Sequence, residues 1–186
     1  MPWLDDVRRL LGARPPRRVS APDAPAAAVL VPLFVADGRL CVMLQRRSAG
    51  LPLHAGQLAF PGGMREAADA DEVATALREA HEELGIDPAL VIILGRLDDE
   101  RTSTGYVVAP VVGALPHPIA LRLQPDEVEE VVTVPVAELL APGAVEEQEV
   151  VLGSERVRSP VYRCGGHRIW GATARILADL LGRLAG

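Results

Sequence analysis

Three glutamates of the segment REAHEELG have the spacing of a metal site on a helix. Glu79, Glu82 and Glu83 stand at positions i, i+3 and i+4, which share one face of an α-helix. Like charges at this spacing repel one another, and these lie near the helix C-terminus, where the helix dipole favours cations. Carboxylate oxygen is the donor that hard divalent cations prefer, so the pattern predicts a site for Mg²⁺ or Mn²⁺.

A glycine-rich loop precedes this helix. The segment FPGG ends at Gly63, and a helix-compatible stretch follows over residues 71–84 and stops at Gly85. Arg46, Arg47 and Arg65 flank the loop, where guanidinium groups could hold an acidic substrate, although each alone is equally typical of a surface charge. His54 lies in the same stretch and is a further candidate for substrate contact.

The spacing of these residues resembles the Nudix box, G-x5-E-x7-REUxEExGU, where U is aliphatic. Gly63, Asp69 and residues 78–86 match most of it, but Asp69 stands in place of Glu, eight residues separate it from Arg78, and Ala80 occupies the first U. The resemblance implies a Nudix-type α/β/α sandwich. It also implies that Glu79, Glu82 and Glu83 ligate Mg²⁺ or Mn²⁺, with the Gly62 carbonyl as an extra ligand.

The resemblance also suggests which groups act in catalysis. Arg78 would orient a catalytic glutamate through charge-assisted hydrogen bonds, and the alternative is a surface pair with Glu82. A general base must activate the attacking water, and Glu79 is the first candidate. Glu127, which precedes a strand-like run, is the downstream candidate for a base or metal ligand, and a solvated acidic turn is an equal alternative.

Residues 44–63 resemble the segment before the box in the coenzyme A pyrophosphatase branch of this family. The shared features are Arg47-Ser48, Gly56 and the FPGG loop, and residues 75–80 read TALREA, as is common in that branch. Pro52 departs from the branch, which usually has a basic residue there. The segment IWGATA, residues 169–174, also looks like the branch, with Trp170 favoured as a packing residue over a base-stacking one.

This resemblance implies hydrolysis of coenzyme A to 3′,5′-ADP and 4′-phosphopantetheine. Two alternatives stay open. The first is another Nudix substrate, such as ADP-ribose, NADH or a nucleoside triphosphate. The second is a nucleotide-sensing module without catalysis, which the presence of all three glutamates disfavours.

Composition narrows the classes of partner. The chain has 186 residues, 49% of them hydrophobic, and a net charge of −6, which disfavours a general nucleic-acid binder. The sequence shows no apolar stretch of the roughly 18 residues that a membrane span needs. Only Cys41 and Cys164 are present, which suits a reducing cytoplasm. We therefore expect a cytoplasmic protein with a small-molecule nucleotide substrate, and a homodimer is left open.

The elements that position the candidate site follow from hydrophobic periodicity. We expect an N-terminal helix and extended lead-in over residues 1–26 and one α/β domain with a mixed sheet over residues 27–186. An amphipathic helix is predicted at 3–11, a short helix or turn at 135–140 and a last helix at 172–184. The Asp37-Gly38 dipeptide predicts a tight hairpin. The predicted strands are 27–36, 39–45, 58–60, 91–97, 107–115 and 128–134, with a further hairpin over 160–169.

Overall fold

The helices and strands lie close to the positions that the sequence predicts, in a computed structural model that describes residues 2–21, 23–51, 54–152 and 155–185. The helices are α1 (Pro2–Gly12), α2 (Glu72–Leu84), α3 (Val136–Leu139) and α4 (Gly171–Leu184), and a turn of 3-10 helix spans Pro88–Leu90. The strands are β1 (Ala26–Ala36), β2 (Arg39–Arg47), β3 (Leu58–Ala59), β4 (Gly62–Met64), β5 (Ile92–Arg96), β6 (Glu100–Arg101), β7 (Val107–Ala114), β8 (Val128–Pro135), β9 (Val145–Leu152), β10 (Glu155–Cys164) and β11 (His167–Ile169).

Strands β1 to β8 form one mixed sheet. The order β3-β2-β1-β7-β5 forms its main path, β4 pairs with β1, β6 with β7 and β8 with β2. The β1–β7 pair is parallel, and the other pairs are antiparallel. Asp37 and Gly38 join β1 to β2 with φ angles of 49° and 72°, the positive values that a tight hairpin turn requires. The predicted hairpin is therefore confirmed.

Helices cover both faces of this sheet. Helix α2 packs on one face, where Ala76, Ala80 and Leu84 join buried residues of β1 and β2 such as Leu30 and Met43. Helices α1 and α4 pack on the other face, against a second cluster of buried aliphatic residues. Successive side chains along a strand point alternately into the two clusters, as the pleat of a sheet dictates. The predicted α/β/α sandwich with a mixed sheet is confirmed.

A second sheet of three antiparallel strands, in the order β11-β10-β9, lies beside α4. Tyr162 and Ile169 contribute to the α4 side of the core. Only the β10–β11 hairpin around Gly165-Gly166 was expected from the sequence. Strand β9 was not, because its acidic residues give a weak strand signal.

The N-terminal segment is tied to the rest of the molecule. Leu4, Val7 and Leu11 of α1 are buried. Arg14 and Arg17 both form ion pairs with Asp98, in the loop after β5. Burial alone would raise the pKa of Asp98, but hydrogen bonds from Arg17 and Arg14 lower it to about 2.

The C-terminal end of α4 joins the same group of ion pairs around Asp98. Arg183 donates to the carbonyls of Leu11 and Arg14 and pairs with Asp98 at 2.7 Å. In the described part of the chain, no helix is long and apolar enough to cross a membrane.

Candidate functional site

Helix α2, which carries the three glutamates, is fixed at both ends. The Asp71 side chain caps its N-terminus by accepting from the backbone N–H of Ala74 at 2.8 Å. Gly85 ends it in the left-handed conformation, with φ 69°, and donates to the carbonyls of Ala80 and His81. The helix therefore begins and ends where the sequence predicts, so the acidic turn has a defined position beside the sheet.

The three glutamates lie at different depths. The Glu83 residue is 2% exposed, the Glu79 side chain 15% and the Glu82 side chain 55%. The acidic face thus runs from the edge of the core into solvent. A shared helical face does not give the three carboxylates the same environment.

Glu83 is held between α2 and the glycine-rich strand. Its carboxylate accepts from the backbone N–H of Gly62 at 2.8 Å, and Arg47 approaches it at 4.0 Å. Gln45 of β2 also lies beside it and favours its charged form, although neither amide atom of that fully buried side chain has a partner with full hydrogen-bond geometry. Burial outweighs these contacts and raises the pKa of Glu83 to about 7.

Arg78 joins the loop to the acidic face. Its guanidinium donates to Glu79 Oε1 and Glu82 Oε2, both at 3.0 Å, and to the Met64 carbonyl at 2.9 Å. It also donates to both carboxylate oxygens of Asp69. Both contacts considered for Arg78, with Glu79 and with Glu82, are therefore formed at once.

Asp69 is a site residue to which the sequence assigned no role. It is buried and also accepts from the backbone N–H of Glu66 and the hydroxyl of Thr75. The hydrogen bond from Arg78 is the main reason that the pKa of Asp69 is held well below its usual range. Its place in the box was the available signal, but the loop that turns it toward Arg78 could not be read from spacing.

The donor chemistry of this site fits a hard divalent cation. Three carboxylates share one helical turn, and burial raises the pKa of both Glu79 and Glu83, as expected where charge is poorly compensated. Within the described residues, however, no three acidic, histidine or cysteine side chains already converge on a common point. Glu79 and Glu82 instead contact Arg78, so these residues would hold a cation only after their carboxylates turn toward it.

Because Gly63 has no side chain, there is room beside it for the Glu79 carboxylate. A Cβ atom at this position would lie 2.5 Å from Glu79 Oε1. At Gly62 a Cβ would instead meet the backbone of β1, with Val29 Cα at 2.6 Å. Two adjacent glycines thus permit two different close approaches.

A cleft of about 490 Å³ opens beside the Gly62-Gly63 strand. Arg47 and His54, two of the predicted substrate contacts, line it together with both glycines. Tyr106 and Trp170 also line it. Pro52 lies outside the described residues.

The other two predicted substrate contacts, Arg46 and Arg65, are not among the described residues that line this cleft. Arg46 pairs with Glu130 at 2.7 Å and donates to the Gly56 carbonyl, and it contacts the ring of His167. Arg65 donates to the carbonyls of Asp69 and Ala70. Both guanidinium groups therefore contact loops and strands that surround the site.

Glu127 is exposed in the turn before β8. Its carbonyl accepts from the backbone N–H of Ser48 at 2.8 Å, which links this turn to the end of β2. Burial is the main cause of the raised pKa of Glu79, and the charge of Glu127 makes a smaller contribution in the same direction. The two carboxylates therefore lie near enough to interact.

Known proteins are similar to this chain in sequence and in fold. The family model described as the NUDIX domain matches residues 24–152. A protein of Photorhabdus laumondii named "Uncharacterized Nudix hydrolase NudL" is 40% identical over 166 residues, covering 89% of this chain and 88% of that protein.

Two solved structures are similar in fold. A MutT/nudix family protein from Enterococcus faecalis has a TM-score of 0.58 at 18% identity, covering 90% of this chain and 64% of that one. The NUDIX domain of Shewanella oneidensis NrtR, complexed with ADP ribose, has a TM-score of 0.51 at 21% identity, covering 66% of this chain and 78% of that one.

Proposed function

Because this chain belongs to the Nudix hydrolase family, we propose that it hydrolyses the diphosphate linkage of coenzyme A or its derivatives. One observation carries the proposal. A single cleft joins the strand of Gly62 and Gly63, which contacts Glu83, to Arg47 and His54 of the segment that resembles the coenzyme A branch. A substrate in this cleft would therefore lie against Gly62 and Gly63, which adjoin Glu83 and Glu79 of the acidic helix, and against the residues of that segment.

A divalent cation, Mg²⁺ or Mn²⁺, would neutralise charge that develops on the phosphates, and Glu79, Glu82, Glu83 and the Gly62 carbonyl are the groups proposed to hold it. Glu83 is best placed among them, because the Gly62 N–H fixes one of its oxygens beside the cleft. Arg47, which approaches Glu83 and lines the cleft, would bind a phosphate oxygen of the substrate.

Glu79 is the proposed general base. Arg78 holds its carboxylate at 3.0 Å and is itself held by Asp69, so the orientation of the base depends on a chain of charge-assisted hydrogen bonds. Burial raises the pKa of Glu79, which makes the carboxylate a better proton acceptor. Glu127 is the alternative base, and it differs in being exposed.

His54, which also lines the cleft, would contact the phosphates of the substrate. Its ring contacts the Gln57 side chain at 3.1 Å, which restrains it. Arg46 and Arg65 then act less directly, because their hydrogen bonds support the segments around the cleft.

Product analysis tests this proposal. The purified protein is incubated with Mg²⁺ or Mn²⁺ and, separately, with coenzyme A, ADP-ribose, NADH and dGTP. Glu83→Gln is the site variant, and Glu129→Gln is the control, because it makes the same change in charge at an exposed position of β8. We expect 3′,5′-ADP and 4′-phosphopantetheine from coenzyme A, with loss of activity in the first variant only.

Two results would overturn the proposal in different ways. Cleavage of ADP-ribose, NADH or dGTP without cleavage of coenzyme A would retain a Nudix hydrolase and discard the substrate. Full activity of Glu83→Gln would instead remove the acidic helix from the chemistry.

A further inference from the structure

Trp170 is one of the residues that line the cleft. It is 36% exposed, although tryptophan is generally a highly buried residue. It occupies the N-cap position of α4 and makes no side-chain capping hydrogen bond there. Capping therefore does not account for its position, and it lines the same cleft as Gly62 and Gly63 of β4.

The indole ring is held in place. The guanidinium of Arg168 lies over it, with 5.3 Å from Cζ to the ring centroid. The Gln148 side chain of β9 accepts a hydrogen bond from the Arg168 guanidinium at 3.0 Å. The backbone of Arg168 lies opposite that of Arg163 in the β10–β11 hairpin. A ring that is fixed before a ligand binds loses little freedom when the ligand stacks on it.

Several other residues that line the cleft are apolar or aromatic. They include Val150 and Val151 of β9, and Tyr106 and Met64, with the tyrosine hydroxyl 3.8 Å from the methionine sulfur. Met64 and Val151 are 53% and 59% exposed, so their apolar surface is open to a ligand.

Among the described residues that line the cleft, the arginines are Arg47 and Arg175. The guanidinium of Arg175 donates to Glu100, to the hydroxyl of Ser159 and to the carbonyl of Arg101. Arg47, beside Gly62 and Gly63, has the one guanidinium nitrogen of this lining that is buried without a hydrogen-bond partner among the described residues. Arg47 is therefore the group of this lining that suits a phosphate, whereas Trp170, Tyr106 and Met64 supply apolar and aromatic surface in the same cleft.

We propose that Trp170 stacks on the purine ring of the nucleotide and forms, with the apolar residues that line the cleft, its nucleobase subsite. This inference rests on the proposed function, because it takes the substrate to be a nucleotide. A flat aromatic ring gains stacking from an indole, whereas the flexible pantetheine chain does not. The purine would therefore lie on Trp170, and the pantetheine would leave the cleft in another direction.

Binding of the two halves of coenzyme A tests this orientation without turnover. Affinities of 3′,5′-ADP, AMP and 4′-phosphopantetheine are measured by calorimetry in EDTA, for the unmodified protein and for Trp170→Ala and Trp170→Phe. We expect Trp170→Ala to weaken both adenine nucleotides by about 5- to 150-fold and Trp170→Phe to restore most of the affinity. Binding of 4′-phosphopantetheine should change less than twofold.

Fluorescence gives a second measurement that does not depend on the stability of the alanine variant. The chain contains two tryptophans, and Trp3 lies on α1, so Trp3→Phe leaves Trp170 as the only source of tryptophan emission. Quenching of its emission by AMP is expected. The subsite is overturned if AMP causes no quenching, or if 4′-phosphopantetheine depends on Trp170 as strongly as AMP does.

The outcomes separate this subsite from the choice of substrate. Quenching by AMP together with failure to cleave coenzyme A would retain the nucleobase subsite and reject coenzyme A as substrate. Cleavage of coenzyme A without an effect of Trp170→Ala on the binding of adenine nucleotides would retain coenzyme A as substrate and reject the nucleobase subsite.

Discussion

Replacing Gly63 with alanine should impair catalysis while leaving the fold intact. The new Cβ would lie 2.5 Å from Glu79 Oε1 and 2.6 Å from Oε2, whereas ordinary contact begins at 3.4 Å. The carboxylate must therefore retreat by about 0.9 Å, which is easy because it is the end of a flexible side chain. A misplacement of about 1 Å in a catalytic group can cost on the order of 100-fold in rate.

The neighbouring glycine is the matched control. In Gly62→Ala the Cβ would meet the Ala28 carbonyl and the Val29 Cα in the middle of β1, and backbone in a sheet cannot yield as a side chain can. We expect Gly62→Ala to lower the free energy of unfolding by more than about 4 kcal/mol, a large part of the stability of a typical domain.

The assay combines kcat with thermal unfolding for both variants. Gly63→Ala should show kcat reduced by about 100-fold with an unfolding temperature within about 2 °C of the unmodified protein. A Gly63→Ala protein with kcat within threefold of normal would refute the reasoning, because Glu79 could then move without consequence. A protein that unfolds would refute it as well, since the clash would not be relieved by the side chain.

Three further predictions concern stability and metal binding. Asp98 has a folded pKa of about 2 against 3.8 unfolded, so its contribution of about 2 kcal/mol is present above pH 4 and lost as pH falls through 2; urea unfolding between pH 7 and 2 should show this loss, and Asp98→Asn should lack it. Gly85→Ala should lower the unfolding temperature by about 2–4 °C, because φ is 69° and the new Cβ would lie 2.9 Å from the Cβ of Arg122. The decrease should be larger than that of Gly105→Ala, where φ is 87° but nothing lies within 4 Å of the new Cβ. Calorimetry that ranks the two variants in the opposite order would contradict this. Gln45→Leu should leave stability nearly unchanged but weaken Mn²⁺ binding by about 10- to 100-fold, because the amide beside Glu83 is lost; paramagnetic resonance titration of Mn²⁺ measures it, and unchanged affinity would remove Gln45 from the site.

Local features were predictable from the sequence because they depend on few residues. The hairpin at Asp37-Gly38 and the stop of α2 at Gly85 each require a positive φ angle that these residues tolerate, and both are present. The position of the acidic turn followed from helical periodicity alone. What surrounds a helical face does not follow from periodicity, so the burial of Glu83 could not be foreseen.

Contacts between distant segments were the part that the sequence could not supply. Strand β9 was missed because its glutamates suit a strand only when a partner offers opposite charge. Glu147 and Glu149 form diagonal ion pairs with Arg158 and Arg156 of β10, and that register is known only from the fold. The exposure of Trp170, between β11 and α4, likewise depends on how α4 packs against β10.

The contact between Arg183 and the Leu11 carbonyl joins positions 172 residues apart. A chain that folds while the ribosome is still adding residues reaches this contact only after the whole central sheet, whose last strand ends at Pro135, has been synthesised. Until then the apolar side of α1 lacks the cover of α4. We therefore expect docking of α1 to be a late step of biogenesis, and a nascent chain stalled before α4 to be a better chaperone client than the finished molecule.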